Sequence, residues 1–124
     1  MATNIVVCGA VGRMGKLLVR LIHEHSTARL VGAIEAAGHP ALGKDAGVEA
    51  GVGSIGVTLS DDYAAAANGD NVTLDFTLAD VAMAHFRTAV GKGAAIAIGT
   101  TGLSAQQRAE VEQHAPQSRV IIAP

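Results

Sequence analysis

Aromatic residues are scarce in this chain of 124 residues: Phe, Tyr and Trp together make up 2% of it, and there is no tryptophan. Hydrophobic residues nevertheless account for 49%, so the core must be built mainly from Val, Ile, Leu and Ala. Aliphatic segments of this kind are typical of strands that helices cover on both faces, as in parallel α/β sheets. The length fits one domain, which removes about two thirds of its unfolded surface from water.

The chain also lacks a basic surplus, a long apolar run and a second cysteine. Its net charge is −2 and its pI is near 6.2, which argues against binding to nucleic acid or to an anionic membrane. No apolar run approaches the ~20 residues of a membrane span, and the N-terminus does not resemble a signal peptide. Cys8 cannot form an internal disulfide, so we expect a reduced, cytoplasmic protein. No spacing of Cys and His suggests a metal site.

The most informative stretch is 5–15, which reads I-V-V-C-G-A-V-G-R-M-G. A short β-branched run ends in Gly9, Gly12 and Gly15, and an amphipathic helical pattern begins at once. In α/β proteins such a strand, glycine turn and helix hold a pyrophosphate, because the glycines allow close approach and the helix offers free N–H groups. A tight turn without a ligand gives the same pattern, so the motif needs support from the rest of the chain.

Strands and helices alternate along the remainder of the sequence. Apolar runs predict strands at 4–8, 29–34, 57–59, 72–76, 94–98 and 119–123. The glycine-rich segment 36–56 has no lasting period and is predicted to be a long, partly irregular loop. With right-handed crossovers, this order predicts a doubly wound parallel sheet of the Rossmann type, with about six strands and helices on both faces.

Several local features of the helices are also predicted. Ser60 is expected to cap a brief helix over 63–67, and Ser104 with Gln107 fits the capping box of a helix that ends near His114. His85 is expected on the solvated side of the helix that follows the fourth strand. The first helix is expected to bury an apolar stripe formed by Met14, Leu17, Leu18, Leu21 and Ile22.

The unusual residues all follow strands, where ligands bind in sheets of this kind. Glu35 lies 20 residues after Gly15, the separation at which a dinucleotide fold places an acid beside the adenosine ribose. Phe76-Thr77 and the segment 99–102, G-T-T-G, follow the fourth and fifth strands and are expected near the nicotinamide end. A charged strand end at Glu35 and a simple tight turn at G-T-T-G remain the alternatives.

At these residues the chain resembles the N-terminal domain of the dihydrodipicolinate reductases, also called 4-hydroxy-tetrahydrodipicolinate reductases. The resemblance rests on V-V-C-G-A-V-G-R-M-G, L-D-F-T, I-G-T-T-G and the closing I-I-A-P, and it covers essentially the whole chain. It implies a reductase that uses NADH or NADPH to transfer hydride to a cyclic imine dicarboxylate in diaminopimelate and lysine biosynthesis.

The resemblance also implies which residues contact the cofactor. Glu35 would bind the adenosine ribose, and the nicotinamide ribose and carboxamide would lie near Gly99, Thr100 and Thr101. Ala123 and Pro124 would begin a last contacting stretch, with Phe76 and Thr77 as further contacts. The pyrophosphate would be held by Gly9, Ala10, Val11, Gly12, Arg13 and Met14.

Two departures from the family pattern matter. Some family members carry an arginine after the acid, suited to a 2′-phosphate, whereas this chain has Ala36, so we expect an NADH preference or dual use. The family also continues into a second domain that binds substrate, supplies the acid–base residues and forms a homotetramer. We therefore expect this chain to be the dinucleotide-binding domain, 1–124, without catalytic residues of its own and with little or no turnover.

Two other functions fit part of the pattern. One is the nucleotide-binding domain of another nicotinamide-dependent dehydrogenase, acting on homoserine or an amino acid, although G-T-T-G favours the first reading. The other is a regulatory module that binds a nucleotide or CoA and performs no chemistry.

Overall fold

The computed structural model describes residues 2–100, 102–114 and 119–122. Within them, six parallel strands form one sheet in the order β3-β2-β1-β4-β5-β6, so the predicted doubly wound Rossmann-like sheet is confirmed. No helix in these ranges is long and apolar enough to cross a membrane. The elements are β1 (Thr3–Cys8), α1 (Arg13–Glu24), β2 (Ala28–Ile34), α2 (Ala46–Glu49), β3 (Leu59–Ser60), α3 (Tyr63–Ala66), β4 (Asn71–Asp75), α4 (Ala79–Lys92), β5 (Ala95–Ile98), α5 (Ala105–His114) and β6 (Val120–Ile122).

Helices cover both faces of the sheet, as the aliphatic composition predicted. Successive side chains of a strand point to opposite faces, and in β1 this sends Val6 and Cys8 to one core and Val7 to the other. The first core includes Phe86 of α4 and the second includes Val19 of α1. Because β1 lies at the centre of the sheet and is buried on both sides, its end provides a rigid base for the glycine turn.

The predicted apolar stripe of α1 is wrong in part. Gly15, Val19 and Ile22 are buried, whereas Met14, Leu17 and Leu21 are 44%, 40% and 51% exposed. The buried stripe is rotated because Gly15 packs directly against the backbone of the glycine turn, which turns the neighbouring larger side chains outward.

Of the two predicted helix caps, one is correct. Ser104 and Gln107 form the capping box of α5: the backbone N–H of each residue donates to the other's side chain, at 2.9 and 3.1 Å. Ser60, by contrast, does not cap α3. Asp62 does so by accepting from the N–H of Ala65 at 3.1 Å, and the Ser60 hydroxyl accepts from the N–H of Asp62.

The segment 36–56 is largely irregular, as predicted, but it is organised around one carboxylate. Asp45 caps the short helix α2 and accepts from the N–H groups of Gly47, Val48, Ile55 and Gly56 at 2.8 to 3.2 Å. Burial alone would raise the pKa of Asp45, but these four donors outweigh it and lower the pKa to about 2.

Candidate functional site

The turn after β1 depends on glycine at two positions. Gly9 has φ 81°, and a Cβ there would lie 3.1 Å from the carbonyl oxygen of Phe76. At Gly15 a Cβ would overlap the carbonyl oxygen of Gly9 and the backbone of Ala10. The glycines therefore let α1 begin directly against the end of β1, and they leave the turn surface bare of side chains.

The start of α1 offers free hydrogen-bond donors. Gly12 is the N-cap and supplies no side-chain cap, and no acid lies in the first turn. No described residue accepts from the N–H of Arg13 or Met14, both of which are exposed. Ala10 is different, since its side chain is buried and its N–H donates to the carbonyl of Ile34. An anion at this turn would meet the partial positive charge of the helix N-terminus.

Glu35 lies beside the glycine turn. Its carboxylate accepts from the N–H of Val11 at 3.0 Å and from the N–H of Ala36 at 3.1 Å. The sequence predicted that Glu35 contacts the adenosine ribose, but it did not predict how the side chain is oriented. These two hydrogen bonds fix that orientation. They hold a negative charge at the edge of the turn, with one carboxylate oxygen on each donor.

A cleft of about 560 Å³ opens next to this turn, between the ends of β2 and β4. Five of the predicted site residues line it, namely Gly9, Gly12, Glu35, Phe76 and Thr77. The remaining lining residues were not predicted from the sequence, apart from Ala36 as the neighbour of Glu35: Ile34, Ala36, Ala37, Asp61, Leu78, Val81 and His85. The volume is typical of a pocket for a small molecule or cofactor.

Beside Phe76, at the end of β5, lies a second group of predicted residues. A Cβ at Gly99 would overlap the ring of Phe76, so glycine is what allows this ring to pack over the end of β5. The hydroxyl of Thr100 accepts from the N–H of Gly102 at 3.3 Å. Thr101, Ala123 and Pro124 lie outside the described residues.

His85 is more buried than the sequence predicted. Its side chain is only 14% exposed, and its Nδ1 lies 2.6 Å from Oδ2 of the buried Asp75. His85 follows Ala82 by three positions, about 60° away round the helix at ~100° per residue, so it lies at the edge of the buried face. That spacing, together with an acid at the end of the preceding strand, was the signal available in the sequence.

Asp75 is a structural hydrogen-bond acceptor. One of its oxygens accepts from the N–H of Thr77 at 3.0 Å and from the hydroxyl of Thr77 at 2.6 Å, and the other pairs with His85. The ring of Tyr63 packs against His85 with a centroid distance of 4.7 Å. The Tyr63 hydroxyl is 2.6 Å from that of the buried Thr73, and burial raises the pKa of Tyr63 to about 12.

Cys8 is buried beside this pair. Its Sγ and ligand atoms of Asp75 and His85 lie within 4.8 Å of one another, a grouping that the sequence spacing did not suggest. Burial and the nearby acids Asp75 and Glu35 raise the pKa of the Cys8 thiol. Asp75 and His85 are joined by a hydrogen bond, and Cys8 packs beside them.

Comparison with known proteins identifies the family that this chain resembles. The family model "Dihydrodipicolinate reductase, N-terminus" matches residues 3–124. The 4-hydroxy-tetrahydrodipicolinate reductase of Geotalea uraniireducens is 42% identical over 98% of this chain and 45% of its own length. That of Anaeromyxobacter dehalogenans is 40% identical over the same shares. The chain therefore spans about half the length of these curated relatives.

Solved structures agree on the fold. A dipicolinate-bound dihydrodipicolinate reductase from Paenisporosarcina sp. TG-14 superposes with a TM-score of 0.73 at 19% identity, covering 100% of this chain and 48% of that one. A biliverdin reductase from Synechocystis, solved with biliverdin and NADP+, gives 0.72 at 12% identity, covering 98% and 37%. By its sequence, its sheet and its glycine turn, the chain belongs to the dihydrodipicolinate reductase family and matches the N-terminal domain of that family.

Proposed function

We propose that this chain is the NADH- or NADPH-binding domain of a reductase that acts on 4-hydroxy-tetrahydrodipicolinate in diaminopimelate and lysine biosynthesis. The proposal rests on one observation: the glycine turn, the uncapped start of α1 and Glu35 lie together at one cleft. Family membership then indicates the reaction. The reduced nicotinamide, when bound, supplies the hydride.

The residues of the turn fit a dinucleotide. The N–H groups of Arg13 and Met14 are free to donate to a pyrophosphate, and the side chain of Arg13 adds a positive charge. Gly9 and Gly12 leave room for its close approach. Ala10 and Val11 shape the turn, because their own N–H groups donate to Ile34 and Glu35.

We propose that the adenosine ribose lies at Glu35 and the nicotinamide end lies near Phe76, Thr77 and Gly99. Thr100 and Thr101 would contact the nicotinamide ribose and carboxamide, and Ala123 and Pro124 would begin the last contacting stretch. Support comes from the described residues among these: Glu35, Phe76-Thr77 and Gly99-Thr100 follow the carboxyl ends of β2, β4 and β5, the edge at which such sheets bind ligands.

We expect the chain to bind NADH more tightly than NADPH, or to bind both. With the ribose placed as proposed, the carboxylate of Glu35 would lie beside a 2′-phosphate and repel it, and Ala36 supplies no compensating cation. In the family the substrate site, its acid–base residues and a homotetramer involve a further domain, and we propose the same arrangement here, in the cytoplasm. We assign no catalytic residue and no metal ligand to the described part of this chain.

Binding and turnover are tested separately. Fluorescence titration of the protein with NADH should show saturable binding, and ADP-ribose should compete, since it carries the pyrophosphate and adenosine but no nicotinamide. Oxidation of NADH on addition of 4-hydroxy-tetrahydrodipicolinate should be slow or absent with this chain and should appear when the second domain is joined to it. Failure of NADH and ADP-ribose to bind a folded sample would refute the proposal.

A further inference from the structure

We propose that His85 recognises the adenine base of the dinucleotide by accepting a hydrogen bond from its exocyclic amine. The inference rests on the proposed function, because it requires a dinucleotide in the cleft beside the glycine turn. It adds a specificity-determining residue on α4, and it gives the Asp75–His85 pair a role as the support that orients the imidazole.

The imidazole is held so that one nitrogen remains for a ligand. Nδ1 lies 2.6 Å from Asp75, and the ring packs against Tyr63. Nε2 has no hydrogen-bond partner among the described residues. Every fully buried side-chain nitrogen or oxygen in these residues does have a partner, so Nε2 itself is not fully buried. Since His85 lines the cleft, Nε2 is the atom that the imidazole presents there.

The bond to Asp75 fixes which ring nitrogen faces the cleft. Oδ1 of Asp75 accepts from both the N–H and the hydroxyl of Thr77, and Oδ2 lies against Nδ1 of His85. We assign the proton of this last bond to Nδ1, the arrangement in which the carboxylate accepts it. In an uncharged imidazole Nε2 is then an acceptor, and in this form it pairs with an N–H donor of a ligand.

The surroundings of His85 favour a flat, largely apolar ligand group. Leu78 and Val81 are 80% and 40% exposed and line the same cleft, with Ala36 and Ala37 among the other lining residues. A ligand ring that packs against Leu78 and Val81 would remove their apolar surface from water, which favours binding. Glu35 lines the same cleft and is the proposed contact of the adenosine ribose, so we place the base attached to that ribose against His85, with the nicotinamide end beyond Phe76, toward Gly99 at the end of β5.

An acceptor at this place discriminates between purines. Adenine presents an amine to Nε2, whereas hypoxanthine has a carbonyl oxygen at the same position, and two acceptors cannot bond. We expect the protein to bind NADH about tenfold more tightly than reduced nicotinamide hypoxanthine dinucleotide, the fold-change that corresponds to one hydrogen bond.

The test compares these two dinucleotides in the wild type and in His85→Asn. The asparagine amide can still donate to Asp75 from the position of Nδ1, but it has no group at the position of Nε2. We expect it to lower the affinity for NADH about tenfold, to leave that for the hypoxanthine analogue within twofold, and so to abolish the preference. His23→Asn, an exposed histidine of α1 outside the cleft, is the matched control and should retain the preference.

The outcomes separate this inference from the function on which it rests. Failure of the folded wild type to bind either dinucleotide would overturn the proposed function itself. Binding without a preference, or an equal loss of affinity for both dinucleotides in His85→Asn, would leave the proposed function standing and overturn the role of His85. If His85→Asn unfolds, the wild-type preference and the adenine-proton shifts of bound NADH near His85 in an NMR spectrum decide the matter instead.

Discussion

Replacing Glu35 by Gln should change the choice between NADPH and NADH. The carboxylate is fixed at the turn by the N–H groups of Val11 and Ala36 at 3.0 and 3.1 Å. A 2′-phosphate on a ribose that contacts Glu35 would lie ~4 Å from it. At that separation each pair of unit charges repels by ~1 kcal/mol in water and by ~4 kcal/mol near a protein surface.

Glu35→Gln removes this repulsion and keeps an oxygen that accepts from Val11. Since 1.4 kcal/mol corresponds to a factor of about ten in affinity, we expect NADPH to bind roughly tenfold more tightly to the variant, or more. The affinity for NADH should change by no more than about threefold, because an amide still bonds to the ribose hydroxyls at a net cost of ~0.5 kcal/mol.

The assay is the dissociation constant of each cofactor at one moderate ionic strength, since added salt screens the effect. Glu24→Gln makes the same change in net charge on an exposed residue at the end of α1 and should leave the ratio of the two constants unaltered. If Glu35→Gln alters both affinities equally, Glu35 does not lie at the 2′ position of the ribose.

Three further predictions concern stability and reactivity. Gly15→Ala would press a methyl group into the backbone of Gly9 and Ala10, and urea unfolding should show a loss of about 3 kcal/mol, the scale of severe overpacking. The Cys8 thiol, buried and with a raised pKa, should not react with Ellman's reagent until the protein is unfolded; fast reaction of the native protein would contradict its placement. The pKa of Asp45 is about 2 in the folded protein and ~3.9 when unfolded. Its contribution to stability is therefore complete above pH ~4 and is lost as the pH falls toward 2, and thermal melts of Asp45→Asn should depend less on pH in this range than those of the wild type.

The sheet could be predicted because its signals are local. Most strands carry a short aliphatic run, and Gly9, Gly12 and Gly15 mark the turn, whose geometry requires glycine at Gly9 and Gly15. The capping box of Ser104 and Gln107 was correct for the same reason, since both partners lie within one helical turn.

The Ser60 cap was wrong although the true cap, Asp62, lies two residues away; the other errors arose where distant residues decide the outcome. Which side of α1 is buried depends on the contact of Gly15 with the turn, and the environment of His85 depends on Asp75, ten residues earlier in the chain. The hydrogen bonds of Asp45 to Ile55 and Gly56 likewise span a segment without periodicity. Hydrophobic periodicity contains no information about such long-range contacts. Half of the residues that line the cleft, including His85, could therefore be identified only from the structure.

Calorimetric titration of the protein with NADH, and then with NADPH, tests the central claim most directly. The account predicts saturable binding of NADH with one site per chain, weaker binding of NADPH, and a loss of NADH affinity in Glu35→Ala. Absence of heat from both cofactors in a folded sample, or binding that Glu35→Ala leaves unchanged, would contradict the placement of the dinucleotide at the glycine turn and Glu35.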